Sequence, residues 1–447
     1  MIDNEKEMLF ITSDEENLKQ LIPDHLLSKI KNEVKQPDGW RWINAPIKVY
    51  KNGAGVITTD FEASDYRPTG KTYYVDINNG DNTNDGLTAT TALKWVSEAR
   101  RKTDVAIIMV ASGVYEFTEG FNGATTTNKD IAIVAASGAD VTITVSMQLA
   151  WSKESGYSNV YKTSRTLVTT VWDKKVLSSE GDYTKYNAKN SINEVEATPG
   201  SYFYLSPNLY VHALKSVQVT NDNVIAFLSR PALSNMGNFK TYLEGIKIYG
   251  GHAGTVSVGA VASSNYSLLV AKNCEFKYSS EGSGGVQSIG ADVYLQNCKS
   301  AYNLKDGNNY HVGSTILPKV IEVGCVSYKN GLGRGTNENN ASTMHDGGII
   351  IRVNGDYGYS EGPNIHDINI GTQSWIIGST SHDTVASSPT RQSNYRADQE
   401  AIMWLDTSVG FGSKESLFVG LNSKMYIKNI LFNDEASQTI NGELINY

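Results

Sequence analysis

The feature that most constrains this chain is a couplet that recurs in its second half. Asn273-Cys274, Asn297-Cys298 and Gly324-Cys325 follow one another at spacings of 24 and 27 residues. Asn and Gly best tolerate left-handed backbone, so each couplet reads as the same tight turn followed by a small inward-facing thiol. Self-similarity on that scale belongs to stacked coils, in which each repeat packs only on its neighbours. Gly324-x-x-Ser327-x-x-x-Gly331 also returns as Gly371-x-x-Ser374-x-x-x-Gly378, displaced by 47, and Ser374 and Gly378 map onto Ser408 and Gly412 at 34. The expectation is an all-β solenoid with a coil of about 22 to 25 residues and loops of different length on one side. The cysteines lack any Cys-x-x-Cys spacing and are expected to form an interior ladder, with no metal or redox role.

The text before the repeat divides into several parts. Ser13 and Glu16 form a capping box, and Leu18, Leu21, Ile22, Leu26, Leu27, Ile30 and Val34 recur at helical spacing, so residues 12–35 are expected to be helical with a break at Pro23. A Gly- and Pro-rich linker with a short strand at Ile47 to Tyr50 completes an N-terminal docking segment, residues 1–71. Residues 72–146 alternate short strands with turns and carry one amphipathic helix, expected from Thr90 to Lys102. Residues 147–222 are rich in Trp and Tyr and read as a β insertion, residues 223–432 hold the main coils, and 433–447 form a tail. The segments YYVD, GDNTNDG and IIMVASGVYEF resemble the opening of right-handed parallel β-helix proteins of the pectate-lyase-like superfamily. That resemblance implies the right-handed parallel β-helix fold and leaves the chemistry open.

Charge and hydropathy exclude some functions. The net charge of −8 argues against general binding to nucleic acid or an anionic membrane, both of which need a positive field. No apolar run reaches the roughly 18 residues of a membrane span. The acidic start has no apolar segment after it, so no secretory signal is expected, and the chain either stays inside the cell that makes it or leaves by lysis.

Residues at one position in successive coils line up on one face, and that is where chemistry is sought. If Gly331 to Thr343 is an inserted loop of seven extra residues, Tyr310-His311-x-Gly313 overlies Met344-His345-x-Gly347. His311, His345 and Asp346 then meet, with Lys305 and Asp306 entering the same region and Arg352, Asp356, Tyr357, Tyr359 and Glu361 downstream. A polysaccharide lyase needs a base and a cation to stabilise an enolate, for which His345 or His311 with Arg352 or Lys305 would serve. A hydrolase needs two carboxylates about 5 to 9.5 Å apart, for which Asp306, Asp346, Asp356 and Glu361 are candidates. Tyr310, Lys305, Tyr357, Tyr359 and Trp375 are the candidate sugar contacts, since aromatic faces stack on the apolar faces of sugars. The competing reading of each His and Asp is an ordinary turn or ladder residue. The run from Asp76 to Gly86 has oxygen ligands suited to Ca²⁺ but lacks the EF-hand order, so a plain turn is expected and no metal or cofactor is assigned.

The segments WSKESGYSNVYK, GSYFYLSPNLYVHA, NCKSAYNLKDGNNYH and STMHDGGIIIRVNGDY complete a resemblance to bacteriophage tailspikes and related receptor-binding proteins, covering roughly residues 72 to 432. It implies a virion tail protein that binds, and cleaves, a bacterial surface polysaccharide, assembles as a homotrimer and meets other tail proteins through its N-terminal segment. The chain departs from familiar tailspikes in its short N-terminal region and in showing no evident C-terminal trimerisation domain. The alternatives are a non-catalytic glycan binder and a structural tail or baseplate rod.

Overall fold

A computed structural model describes residues 31–121, 129–235, 237–252, 254–259, 266–280, 284–333, 339–385, 392–432 and 437–447, the last without the side chains of 437–440. The chain divides into two compact units at Phe61/Glu62. In the first, Lys31–Glu33, Val49–Asn52 and Ile57–Thr59 form an antiparallel sheet. The helix expected over 12–35 falls mostly outside the described residues, and its end is corrected: Lys31–Glu33 is a strand, paired with Tyr50 to Asn52.

The second unit, Glu62 to Tyr447, is built on three long parallel sheets of 12, 10 and 9 strands. One coil takes a strand from each in turn, as in Val286–Ile289, Ala291–Gln296 and Lys299–Ala301. The next coil, Asn308–His311, Lys319–Val323 and Val326–Tyr328, pairs with it in parallel on all three faces. Successive parallel strands joined in this sense make a right-handed parallel β-helix.

The turn from the twelve-stranded to the ten-stranded sheet is the device anticipated from the couplets. Asn273, Asn297 and Gly324 are left-handed, with φ of 54°, 54° and 61°. The parallel register Glu275↔Lys299↔Val326 places Cys274, Cys298 and Cys325 in one buried column. The turn continues as Asn354, Gly378, Thr407 and Asn429, and the cysteine column as Gly355, Ser379 and Ser408. The displacements of 47 and 34 are therefore wrong: Gly324 is equivalent to Gly378, whereas Gly371 lies before the strand Gln373–Ile377 and Gly412 after Val409–Phe411. Left-handed Gly also serves the coil's other corners, and a pattern match alone does not separate one corner from another.

The expected helix from Thr90 is shorter, spanning Val96–Arg101. Thr88 caps a separate turn at Ala89–Thr91, and Leu93 exchanges backbone hydrogen bonds with Tyr74 and Asp76, holding it extended until Trp95. Leu93, Val96 and Ala99 are fully buried, so the apolar spacing was meaningful even where the helix was not. The Asp76 to Gly86 run is a chain of turns: the carboxylates of Asp76, Asp81 and Asp85 accept from backbone N–H groups two residues on. The aromatic-rich stretch forms two small sheets between Val141–Thr144 and Leu233–Asn235. Its Asp182 docks on the ten-stranded sheet, accepting from Lys277 Nζ at 2.6 Å and from the hydroxyls of Tyr278 and Tyr328.

The interior is apolar over most of its length, but the apolar packing falls into two clusters, one ending near Ile350 and one beginning near Ala341 and Tyr357. Where they meet, Glu322, Arg352 and Asp367 are all completely buried. Arg352 grips Asp367 through two bonds of 2.8 and 3.0 Å, while Tyr310, Tyr357, Asn308 and Ser342 all donate to Glu322. Every charge in this cluster is thus hydrogen-bonded, as burial requires.

Candidate active site

The nine-stranded sheet carries the site on its outer face. Strands Asn308–His311 and Ser342–Met344 alternate, so Asn308, Tyr310, Ser342 and Met344 face the interior, and Asn309, His311 and Thr343 face out. The connection from Tyr328 to Ser342 is seven residues longer than that from Ala301 to Asn308, yet Tyr310 pairs with Met344. The extra length is therefore looped out, and His345, whose N–H donates to the Tyr310 carbonyl at 2.9 Å, arrives over His311. The two imidazoles stack with centroids 4.1 Å apart and planes 18° from parallel.

Asp346 follows in left-handed backbone (φ 57°) and Gly347 continues the turn (φ 88°). That reversal turns the Asp346 carboxylate back to His311, whose Nδ1 lies 3.1 Å from Oδ2. Nδ1–H is the donor in that bond, which leaves Nε2 of His311 as a proton acceptor. The Thr343 hydroxyl donates to the His366 carbonyl, so it accepts at 3.2 Å from Nε2–H of His345, and this fixes the second imidazole's tautomer. Burial and the neighbouring His311 imidazole push His345 down to about 3. At neutral pH it is an uncharged ring against which His311 is held flat.

A row of polar side chains runs through the same face. Parallel register aligns Gln287, Asn309, Thr343, His366, Arg396 and Phe418. At about 4.8 Å per rung, five steps span roughly 24 Å. Gln287 Oε1, Asn309 Oδ1 and Arg396 Nε have no hydrogen-bond partner among the described residues, although all three residues are buried. Arg396 lies over the Phe418 ring at 4.5 Å and pairs with Asp398. Burial raises the Glu415 carboxyl, and its Oε2 is also without a partner.

The remaining sequence candidates lie elsewhere. Asp306 is buried two residues before the strand Asn308–His311, and its carboxylate accepts from Asn309 Nδ2 (2.5 Å) and the Asn340 N–H (2.6 Å). It latches the long connection. Lys305 is half-buried beside it, and Glu361 is buried on the equivalent connection of a later coil. Arg352, Tyr310 and Tyr357 are corrected outright: all three point into the closed interior and cannot touch a ligand on the outer face. Trp375 is buried on the twelve-stranded sheet, between Ile351 and Trp404. Asp356 and Tyr359 belong to the ten-stranded face, where His382 lies between Asp356 (3.0 Å) and Asp383 (2.9 Å). Sequence reasoning missed Gln287, His366, Arg396, Glu415 and the His382 cluster. Extending the period-two alternation from Thr343 would reach His366 and Arg396 once the loops are removed.

No family model and no curated protein matches the chain. Several solved structures resemble it. A glycoside hydrolase has a TM-score of 0.48 at 9% identity, covering 84% of this chain and 97% of its own. A pectate lyase has 0.39 at 9%, covering 85% and 78%. The tailspike of an Acinetobacter baumannii bacteriophage, solved with a capsular saccharide, has 0.22 at 11%, covering 76% and 64%. Likeness at such identities is one of fold.

Proposed function

We propose that this protein binds an extended polysaccharide along the outer face of the nine-stranded sheet and cleaves it at His311. The observation that carries the reading is the His311–Asp346 hydrogen bond, held against a neutral His345 in a row where Gln287 Oε1, Asn309 Oδ1 and Arg396 Nε have no partner among the described residues. Asp346 orients the imidazole and stabilises it once charged, and Nε2 takes the proton. Elimination suits this arrangement better than hydrolysis, because the site offers one base, His311, while Asp346 is engaged by that imidazole and Asp306 by the loop latch. In a uronate polymer His311 removes the proton α to the carboxylate, that electron pair becomes the new double bond, and the glycosidic C–O bond breaks. The leaving oxygen takes its proton from solvent. The biological setting we propose is a tailspike-like receptor-binding protein on a phage tail, trimeric and attached through its N-terminal segment, with the resemblance of its motifs as support.

Incubation with uronate-containing and neutral bacterial surface polysaccharides, followed by mass analysis of the products, tests the reading. Unsaturated oligosaccharides are expected. Oligosaccharides carrying an added water would replace elimination with hydrolysis, and intact polymer bound to the protein would leave a binding module.

A further inference from the structure

We infer that His311, His345 and Asp346 also form a binding site for a divalent transition-metal ion, which occupies the place of the proton between His311 and Asp346 and blocks the proposed base. The inference rests on the proposed function only for the word "blocks"; the binding itself stands on the geometry. One donor atom from each of the three residues lies within 4.8 Å of the others. The 3.1 Å between His311 Nδ1 and Asp346 Oδ2 is also about the separation of two neighbouring ligands around an ion bonded at roughly 2.0 to 2.2 Å. Two imidazoles and one carboxylate are a borderline donor set, suited to Zn²⁺, Ni²⁺ or Co²⁺, whereas Ca²⁺ and Mg²⁺ prefer all-oxygen shells.

The surroundings fit an ion as well as a proton. His311 and Asp346 are each about a third exposed in their side chains, which leaves a path for an ion and room for water at the remaining positions. The stack of the rings has one consequence for binding. An ion must lie near the plane of each imidazole it bonds, and two rings only 18° from parallel cannot both satisfy that, so one must turn about its Cβ–Cγ bond. Binding therefore breaks the stack and moves the His311 proton from Nδ1 to Nε2, which removes the lone pair that the proposed base needs.

Titration of the full chain with Co²⁺ alone, followed by visible absorption and by calorimetry in two buffers of different ionisation enthalpy, tests this without any glycan. The expected result is one ion per chain at this site, little net proton release at neutral pH, and weaker binding as the pH falls. His345→Ala and Asp346→Asn should each weaken it by more than the 10–100-fold typical of losing an outer-shell partner. The His382→Ala variant, on another face, should bind as the parent does, which controls for ions held elsewhere. Absence of binding at millimolar Co²⁺, or equal binding by all variants, overturns the site. In the cleavage assay, added Zn²⁺ should slow the reaction and a chelator restore it. Cleavage that requires the ion would overturn the blocking role while leaving the site, and absence of cleavage by the metal-free protein that still binds Co²⁺ would count against the base alone.

Discussion

Two histidine–aspartate clusters lie on different faces of the same β-helix, and their imidazoles are pushed in opposite directions. On the nine-stranded sheet His345 is buried against a second imidazole and falls to about 3. On the ten-stranded sheet His382 is raised, first by its bond to Asp356 and then, against some burial, by its bond to Asp383. The raised ring has both nitrogens engaged at 3.0 and 2.9 Å, so it has no lone pair with which to take a proton. His311 differs from both, with one nitrogen tied to a carboxylate and the other not. The residue types alone do not distinguish a base from a charged clasp; the number of carboxylates per imidazole does.

The sharpest way to break this comparison is to delete one ring from each cluster. His311→Ala should lower cleavage by about 10² to 10⁴, the usual loss on removing a general base, with glycan binding kept. His382→Ala should leave the rate nearly unchanged. Equal losses would merge the two clusters into one functional surface, and a loss confined to His382→Ala would move the site to the ten-stranded face.

A second comparison sets the outer His pair against the charges beneath it. The interior network holds the same strands: Met344 N–H donates to Asp367, and Ser342 bonds both Arg352 and Glu322. Removing one member strands the others in a closed interior. Asp367→Ala should cost about 3 to 5 kcal/mol, read as a shift of the urea midpoint, because it leaves the buried Arg352 charge with Ser342 Oγ and, at 3.9 Å, the Glu322 carboxylate. A loss below 1 kcal/mol would mean that water reaches the cluster and that the coils do not close there.

Part of this was readable from residue order. The Cys column and its left-handed Asn/Gly turn were legible because an interior position and a tight corner each restrict residue type strongly. The meeting of His311, His345 and Asp346 followed from one assumption, that seven residues loop out, and pairing of Tyr310 with Met344 satisfies it. The direction of Arg352, Tyr310 and Tyr357 was not legible. Polar residues in a strand are ordinarily assigned outward, and only the mutual satisfaction of Glu322, Arg352 and Asp367 makes the inward phase affordable. Those partners lie 30 and 15 residues away from Arg352, on other coils, and no local pattern links them.

The smallest expected effect concerns the clasp itself. Asp356 is 52% exposed in its side chain and His382 17%, so solvent screens their attraction, and an exposed pair of this kind contributes about 0 to 1 kcal/mol. Its pH dependence has a definite sign. His382 is raised in the folded protein above its ordinary value of 6.5, so folding takes up a proton there. The stabilisation is complete below the unfolded value and fades as the pH rises through the folded one. Asp356→Asn should therefore lower the unfolding free energy by at most about 1 kcal/mol at pH 5 and have a smaller effect toward pH 9, as His382 loses its proton. His345 works in the opposite sense: its depressed value means that stability is lost as the pH falls below 6.5, when the unfolded ring gains a proton that the folded ring refuses. Urea unfolding of Asp356→Asn and its parent at the two pH values separates these contributions, since His345 is common to both chains and cancels. A difference that grows toward pH 9 would show that His382 is not the charged partner of Asp356.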